Sequence, residues 1–95
     1  MPTQITQIDD SESEQTTLLV SGEMFVEDAE VLAKVAKSIR SESHNTITLD
    51  FADLDFLDSD AAAVLRDLSR TDGFSLRGLE IFLQSAVDQA ERGNR

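Results

Sequence analysis

Five aspartates lie within eleven residues of this 95-residue chain, a density that suggests a site for a hard cation such as Mg²⁺ or Ca²⁺. They are Asp50, Asp53, Asp55, Asp58 and Asp60. The spacing argues against such a site, because the first alternates with apolar residues of a predicted strand and the next two fall in a predicted connecting segment. No lysine, histidine or glycine-rich phosphate loop accompanies them. We therefore predict no metal site, no cofactor and no enzymatic activity.

Asp58, Ser59 and Asp60 stand directly before a run of apolar residues with helical spacing, so they fall at the start of a predicted helix. An oxygen of Asp58 or Ser59 can accept a hydrogen bond from a free N–H group there, which stabilises a helix by about 1 kcal/mol. A carboxylate in the first turn is also favoured by the helix dipole, by about 0.3 to 1 kcal/mol. Two roles stay open for these side chains: a plain helix cap, and a charged surface that faces a partner.

The charge balance limits the kind of partner. The chain has 19 acidic and 8 basic residues and a formal net charge of −11, so it repels nucleic acid phosphates and anionic lipid headgroups. We expect protein partners, no nucleic acid and no direct membrane insertion. Cysteine is absent and His44 is the one histidine, which excludes disulfides and Cys- or His-rich metal sites. The sequence shows neither a membrane span nor the features of a signal peptide, so we expect a cytoplasmic protein.

Periodicity indicates the elements that position these residues. Strict alternation over TITLDF predicts a strand, and apolar residues three and four apart after position 60 predict a helix. Residues 9–15 are acidic, rich in serine and typical of a turn. Over residues 79–83 helical and alternating periods compete, and a helix is favoured because the later polar positions share one face. The predicted strands are 4–8, 16–20, 46–51 and 74–76, and the predicted helices are 27–40, about 60–70, and 80–92.

These elements predict a single domain over residues 1–95, because the chain is too short for a second core. A strand joined to a parallel neighbour through a helix needs a crossover connection. The fold class expected is therefore α/β, with one mixed β-sheet of about four strands covered by about three helices.

The stretch TLDFADLDFLDSDA, residues 48–61, resembles the central motif of STAS domains, the family of the bacterial anti-sigma factor antagonists. That motif reads roughly Leu-Asp-Leu, four residues, a hydrophobic pair, and then Asp-Ser-Ser-Gly or Asp-Thr-Ala-Gly opening a helix. Residues 49–51, 56–57 and 58–59 take these places here without a gap. The segments VSGE (20–23) and LRGL (76–79) also resemble family segments. The resemblance covers about residues 16–92 and implies a non-enzymatic STAS-like domain that binds a partner protein.

One position departs from the family pattern. In the antagonists the phosphorylated serine is the second serine of Asp-Ser-Ser-Gly, and that position here is Asp60, followed by Ala61 in place of glycine. The usual phosphoacceptor is therefore missing, and Ser59 is a shifted candidate. We interpret Asp60 as a residue that holds this surface in a phospho-like, unswitched state.

The resemblance implies a regulatory protein–protein interaction module of the anti-sigma antagonist type, with an anti-sigma or serine-kinase-like protein as partner. Two alternatives stay open: an accessory subunit that binds the ATPase of a lipid-transport ABC system, and a scaffold in a sensory assembly. In each case the expected contact surface is the start of the second helix and its neighbours. The expected partner-binding residues are Glu23, Asp58, Ser59, Asp60, Ala61 and Arg66.

Overall fold

The computed structural model describes residues 2–78 of the chain. The predicted helix over residues 80–92 lies outside these residues. The described part forms four strands and two helices in the order strand, strand, helix, strand, helix, strand. They are β1 (Gln4–Asp10), β2 (Gln15–Met24), α1 (Val26–Ser43), β3 (Thr46–Leu57), α2 (Ser59–Ser69) and β4 (Phe74–Arg77).

The four strands form one mixed sheet in the order β1-β2-β3-β4. β1 pairs with β2 in antiparallel fashion, so a short turn is enough to join them. β2 and β3 are parallel and joined through α1, and β3 and β4 are parallel and joined through α2. The predicted α/β class and the four-stranded mixed sheet are confirmed, with two helices in the described residues.

The core lies between the sheet and the two helices. Every second residue of β2 is buried, and so are the first apolar positions of β3, because alternate side chains of a strand point to the same face. α1 and α2 pack against each other and against this face. Each large apolar side chain fully buried here contributes about 1.5 to 3 kcal/mol. The largest fully buried apolar side chains are Phe51, Leu18, Met24, Leu32, Ile47, Leu49, Leu65 and Val20.

β3 is longer than the sequence predicts. Alternation indicates an end at residue 51, but the strand continues to Leu57. Leu54 is buried and keeps this second half of the strand on the core. Asp53 and Asp55 therefore lie in β3 and not in a connecting segment, and our assignment of them to a loop is wrong. Both residues are exposed, so they place negative charge on the surface of the sheet.

α1 is capped at both ends by its own side chains. The carboxylate of Asp28 accepts a hydrogen bond from the N–H of Phe25, the residue before the helix, at 3.0 Å. At the other end, Nη1 of Arg40 donates to the carbonyl oxygens of His44 and Asn45, at 2.6 Å and 3.0 Å. Neither described helix is long and apolar enough to cross a membrane.

Candidate functional site

The turns that lead into the two helices lie side by side. β2 and β3 are parallel, and Met24 at the end of β2 pairs with Leu57 at the end of β3. The N–H of Asp58 donates to the carbonyl oxygen of Met24 at 2.9 Å, which holds the two turns together. We call residues 23–28 and 53–60 the carboxyl edge. In open α/β sheets, ligands bind at this edge of the strands.

Asp58 caps α2. Its backbone is extended, and its Oδ2 accepts a hydrogen bond from the N–H of Asp60 at 3.1 Å. Its carbonyl oxygen accepts the first helical hydrogen bond, from the N–H of Ala62 at 2.9 Å. Of the two caps predicted from the sequence, the structure therefore selects Asp58, while Ser59 becomes the first residue of the helix.

Ser59 and Asp60 are both exposed in the first turn of α2. Asp60 uses its backbone N–H to bind the cap, but its carboxylate makes no hydrogen bond or ion pair with residues 2–78. Asp60 is in the first turn of α2, where the helix dipole favours a negative charge. It is therefore available to a donor on another molecule.

Ala61 does not belong to this surface. Its side chain is 0% exposed and lies in the core with Leu65 and Leu68, four and seven residues later on the same face of α2. The expectation that Ala61 contacts a partner is therefore corrected: its methyl group packs inward.

Glu23 and Arg66 are separated by the fold. Glu23 lies on β2 at the carboxyl edge, half-buried, and pairs in register with Phe56. Arg66 is exposed in the later part of α2, about 9 Å further along the helix axis than Asp60 at 1.5 Å per residue. The expected cluster thus keeps Glu23, Asp58, Ser59 and Asp60 together, and Arg66 lies outside the carboxyl edge.

Two exposed phenylalanines lie at the carboxyl edge, and we did not predict them as site residues. Phe25 is 50% exposed and Phe56 is 43% exposed, and their ring centroids are 5.4 Å apart with the planes tilted by 45°. Each has a polar neighbour from the predicted site: Phe25 follows Glu23 by two residues, and Phe56 precedes Asp58 by two. The edge therefore combines an exposed aromatic pair with acidic residues close to it in sequence.

Irregularities in β3 explain why Phe56 faces outward. Two register shifts interrupt the pairing of β2 with β3, so that Gly22 pairs with Leu54 but Glu23 pairs with Phe56. An extra residue in a strand turns the following side chains to the opposite face. Simple alternation from the buried Leu54 would place Phe56 in the core, and the bulge places it on the surface. A bulge of this kind has no clear signal in the sequence.

The carboxyl edge carries only acidic charge. Neither of its two segments contains lysine or arginine. Although the acids are numerous, no group of three or more acidic or histidine side chains within residues 2–78 is arranged to hold a metal ion. The charge is spread over the surface instead of converging on one point. The acidic residues are Glu23, Glu27, Asp28, Asp53, Asp55, Asp58 and Asp60.

A shallow groove of about 250 Å³ lies between the two helices, away from this edge. It is open to solvent and smaller than the pockets of roughly 300 to 1,000 Å³ that bury small-molecule ligands. Residues from both helices and Thr71 line it, including Lys37 and Asp67. The exposed carboxyl edge is therefore the better candidate for a functional surface.

Comparison with known proteins identifies the fold. No protein-family model matches the sequence, and no curated protein matches it. Solved structures do match. The STAS domain of an anti-sigma factor antagonist from Rhodobacter sphaeroides is similar with a TM-score of 0.62 and 17% identity, over 82% of this chain and 88% of that one.

Two further structures have the same architecture. The anti-sigma factor antagonist SpoIIAA in its unphosphorylated form is similar with a TM-score of 0.54 and 18% identity, over 73% of this chain and 61% of that one. A DUF3478 family protein with a SpoIIAA-like fold, from Shewanella loihica, is similar with a TM-score of 0.58 and 18% identity, over 78% of this chain and 64% of that one. This chain therefore has a STAS-like fold, as the motif over residues 48–61 predicts.

Proposed function

We propose that this chain is a non-enzymatic regulatory module of the anti-sigma factor antagonist type, which acts in the cytoplasm by binding a partner protein. The observation that carries the proposal is the exposed carboxylate of Asp60 in the first turn of α2, within a STAS-like fold. Asp58 already caps the helix, so capping does not account for the acid at position 60.

Asp60 imitates a phosphoserine in sign and position. A phosphoserine in the first turn of a helix carries about −1.5 to −2 charges and three acceptor oxygens. Asp60 carries one charge and two oxygens in the same field, so it reproduces part of the electrostatic effect without a kinase or phosphatase. The proposed consequence is a contact surface fixed in a phospho-like state.

The proposed contact is centred on Asp58, Ser59 and Asp60, with Glu23 beside them. Asp58 both caps the helix and faces solvent in part. Ser59 is exposed, so phosphorylation there stays open as a second layer of control. We propose no metal, no cofactor and no reaction at this surface.

Affinity purification from lysate of the source cells tests the proposal, with wild type and Asp60→Ser as baits. Asp60→Asn is the matched control, because it removes the charge and keeps the size of the side chain. We expect a kinase-like ATP-binding protein that Asp60→Ser retains more strongly than wild type does. Equal retention by wild type, Asp60→Ser and Asp60→Asn would remove the phospho-like role of Asp60.

The alternative roles predict a different result in the same experiment. An accessory subunit of a lipid-transport ABC system should retain a transporter ATPase from the membrane fraction, and a scaffold should retain a sensory component. The absence of a hydroxyl group at position 60 fits the transporter subunit and the scaffold alike. Neither role requires phosphorylation at this position. Retention of such a partner equally by all three baits would select this class.

A further inference from the structure

The exposed aromatic pair is an apolar patch that the phospho-like role of Asp60 does not require. Phe25 and Phe56 come from different elements, the turn after β2 and the second half of β3. Their rings contact each other, yet about half of each side chain stays open. Paired aromatic side chains at the centre of a surface are typical anchors of protein–protein interfaces, where they bury large area at a low cost in conformational entropy.

The charges around the pair indicate what covers it. The carboxylate of Asp28 lies at the backbone of Phe25, since it accepts the hydrogen bond of the Phe25 N–H. Asp55 and Asp58 flank the second ring in sequence, and no lysine or arginine lies in either segment of the edge. The first basic residue of α1, Lys34, is about 12 Å from the helix start along the axis at 1.5 Å per residue. Within the part of the chain that the structure describes, the two segments that carry these rings therefore present only acidic charge to a partner.

We infer that Phe25 and Phe56 form the apolar anchor for a basic protein segment, whose apolar side chains cover the two rings while its lysines or arginines face the surrounding carboxylates. A basic partner is selected by charge complementarity, because an acidic segment would bring like charge next to the carboxylates of Asp28, Asp55 and Asp58. A second copy of this chain is disfavoured by the same argument, since each copy carries a net charge of −11. The inference rests on the proposed function in that it assigns the chemistry of the partner at the same edge.

The other exposed apolar residues do not share this setting. Ile5 and Ile8 lie on β1, and Val31 and Val35 lie on α1, with Lys34 between them in sequence. They do not belong to the carboxyl edge, and nothing in their surroundings selects one kind of partner. Ile8, which is 49% exposed, is therefore a suitable control position for an apolar truncation.

The experiment is a titration of the full-length ¹⁵N-labelled protein with a synthetic amphipathic peptide of leucine and lysine, followed by NMR. A peptide of the same length with glutamate in place of lysine is the control for charge. We expect the basic peptide to shift signals of residues 23–28 and 53–60 first, and the acidic peptide to shift none. The combined variant Phe25→Ala and Phe56→Ala should bind at least about tenfold more weakly, as for loss of interface anchors. Ile8→Ala should bind as wild type does.

The NMR signals of each variant outside the carboxyl edge show whether its fold is intact. If the alanine variant does not fold, the combined variant Phe25→Leu and Phe56→Leu replaces it, because leucine keeps most of the apolar volume and removes the aromatic rings. Three results would overturn the inference. One is unchanged affinity of the alanine variant, which would mean that charge alone attracts the peptide. Another is a set of shifts centred on β1. The third is a shift of Phe25 and Phe56 on raising the protein concentration alone, which would assign the rings to a contact between two copies.

The experiments can reject the aromatic anchor and the proposed function of Asp60 separately. The peptide is a probe of surface chemistry, so its binding does not depend on the identity of the partner or on a phospho-like role for Asp60. Equal retention of a partner by wild type and Asp60→Ser would remove the phospho-like role and leave the aromatic anchor standing. Unchanged peptide affinity in the alanine variant would remove the anchor and leave the role of Asp60 standing.

Discussion

Asp58 and Asp60 are two residues apart and have the same side chain, but their surroundings separate their roles. The carboxylate of Asp58 is occupied by the N–H of Asp60, as a helix cap. The carboxylate of Asp60 makes no hydrogen bond or ion pair with residues 2–78. Stability is therefore expected to depend on the first aspartate, and partner binding on the second.

Asp58→Ala should lower the free energy of unfolding by about 1 kcal/mol, because it removes the only side-chain cap of α2 seen in the described structure. Urea unfolding followed by circular dichroism measures the change. Ser59→Ala is the matched control one residue later, and it should change stability little since the Ser59 side chain is not the cap. A larger loss from Ser59→Ala than from Asp58→Ala would contradict this assignment of the cap.

At the scale of single elements, the first half of β3 is predictable from the sequence and the second half is not. The alternation of residues 46–51 predicts the first half of the strand and its buried face correctly, because every second side chain of a strand points to the same face of the sheet. Beyond Phe51 two extra residues change the phase. Alternation alone therefore predicts a connecting segment at Asp53 and Asp55 and does not indicate the exposed Phe56, although all three residues lie in β3.

The position of α2, in contrast to that of β3, is predicted closely from the sequence. Helical spacing predicts the position of this helix within one residue at each end, and the residue types at its start predict two candidates for the cap, Asp58 and Ser59. The burial of Ala61 also follows from that spacing, since it shares a face with Leu65 and Leu68. Residues 58–61 of the motif do not form one surface, because consecutive residues of a helix point in different directions.

The end of β4 provides a prediction for backbone packing. Gly78 has φ +80°, and a Cβ atom there would lie 2.6 Å from the backbone nitrogen of Ala52. Gly73 has φ +94°, but its added Cβ would meet the guanidinium of Arg40, a flexible side chain. Gly78→Ala should therefore cost about 1 to 3 kcal/mol of stability and more than Gly73→Ala, because both share the unfavourable φ and only Gly78 meets fixed backbone.

Thermal unfolding of Gly78→Ala and Gly73→Ala measures the loss of stability in each variant. Each kcal/mol corresponds to roughly 4 to 8 °C in Tm for a domain of this size. Equal losses would mean that the φ angle alone sets the cost. A smaller loss for Gly78→Ala than for Gly73→Ala would contradict the close approach of Gly78 to the backbone of Ala52.

At the scale of the whole molecule, the fold divides its phenylalanines into structural and surface residues. Phe51 is 0% exposed at the centre of the core. Phe51→Ala should therefore cost about 3 to 5 kcal/mol. Phe56→Ala should cost less than about 1.5 kcal/mol, since it removes a half-exposed ring and one aromatic contact. Urea unfolding of both variants measures the difference, and similar losses would contradict an exposed role for Phe56.

The acidic surface of the whole molecule predicts how salt acts on stability. With a net charge of −11, self-repulsion opposes the compact state and should weaken as ions screen it. Tm should therefore rise with sodium chloride, as measured by differential scanning calorimetry. Millimolar magnesium should raise Tm no more than sodium chloride at the same ionic strength. A specific further rise with magnesium would indicate a cation site and contradict the proposed absence of a metal.

The measurement that tests the central claim most directly is the affinity of the captured partner for three purified proteins, by isothermal titration calorimetry: wild type, Asp60→Ser and Asp60→Asn. If Asp60 holds the surface in a phospho-like state and the partner is kinase-like, both variants should bind about tenfold more tightly than wild type, the effect of roughly 1.4 kcal/mol. Phosphorylation of Asp60→Ser at the introduced hydroxyl should then weaken its binding again. Equal affinities of the three proteins would contradict the account.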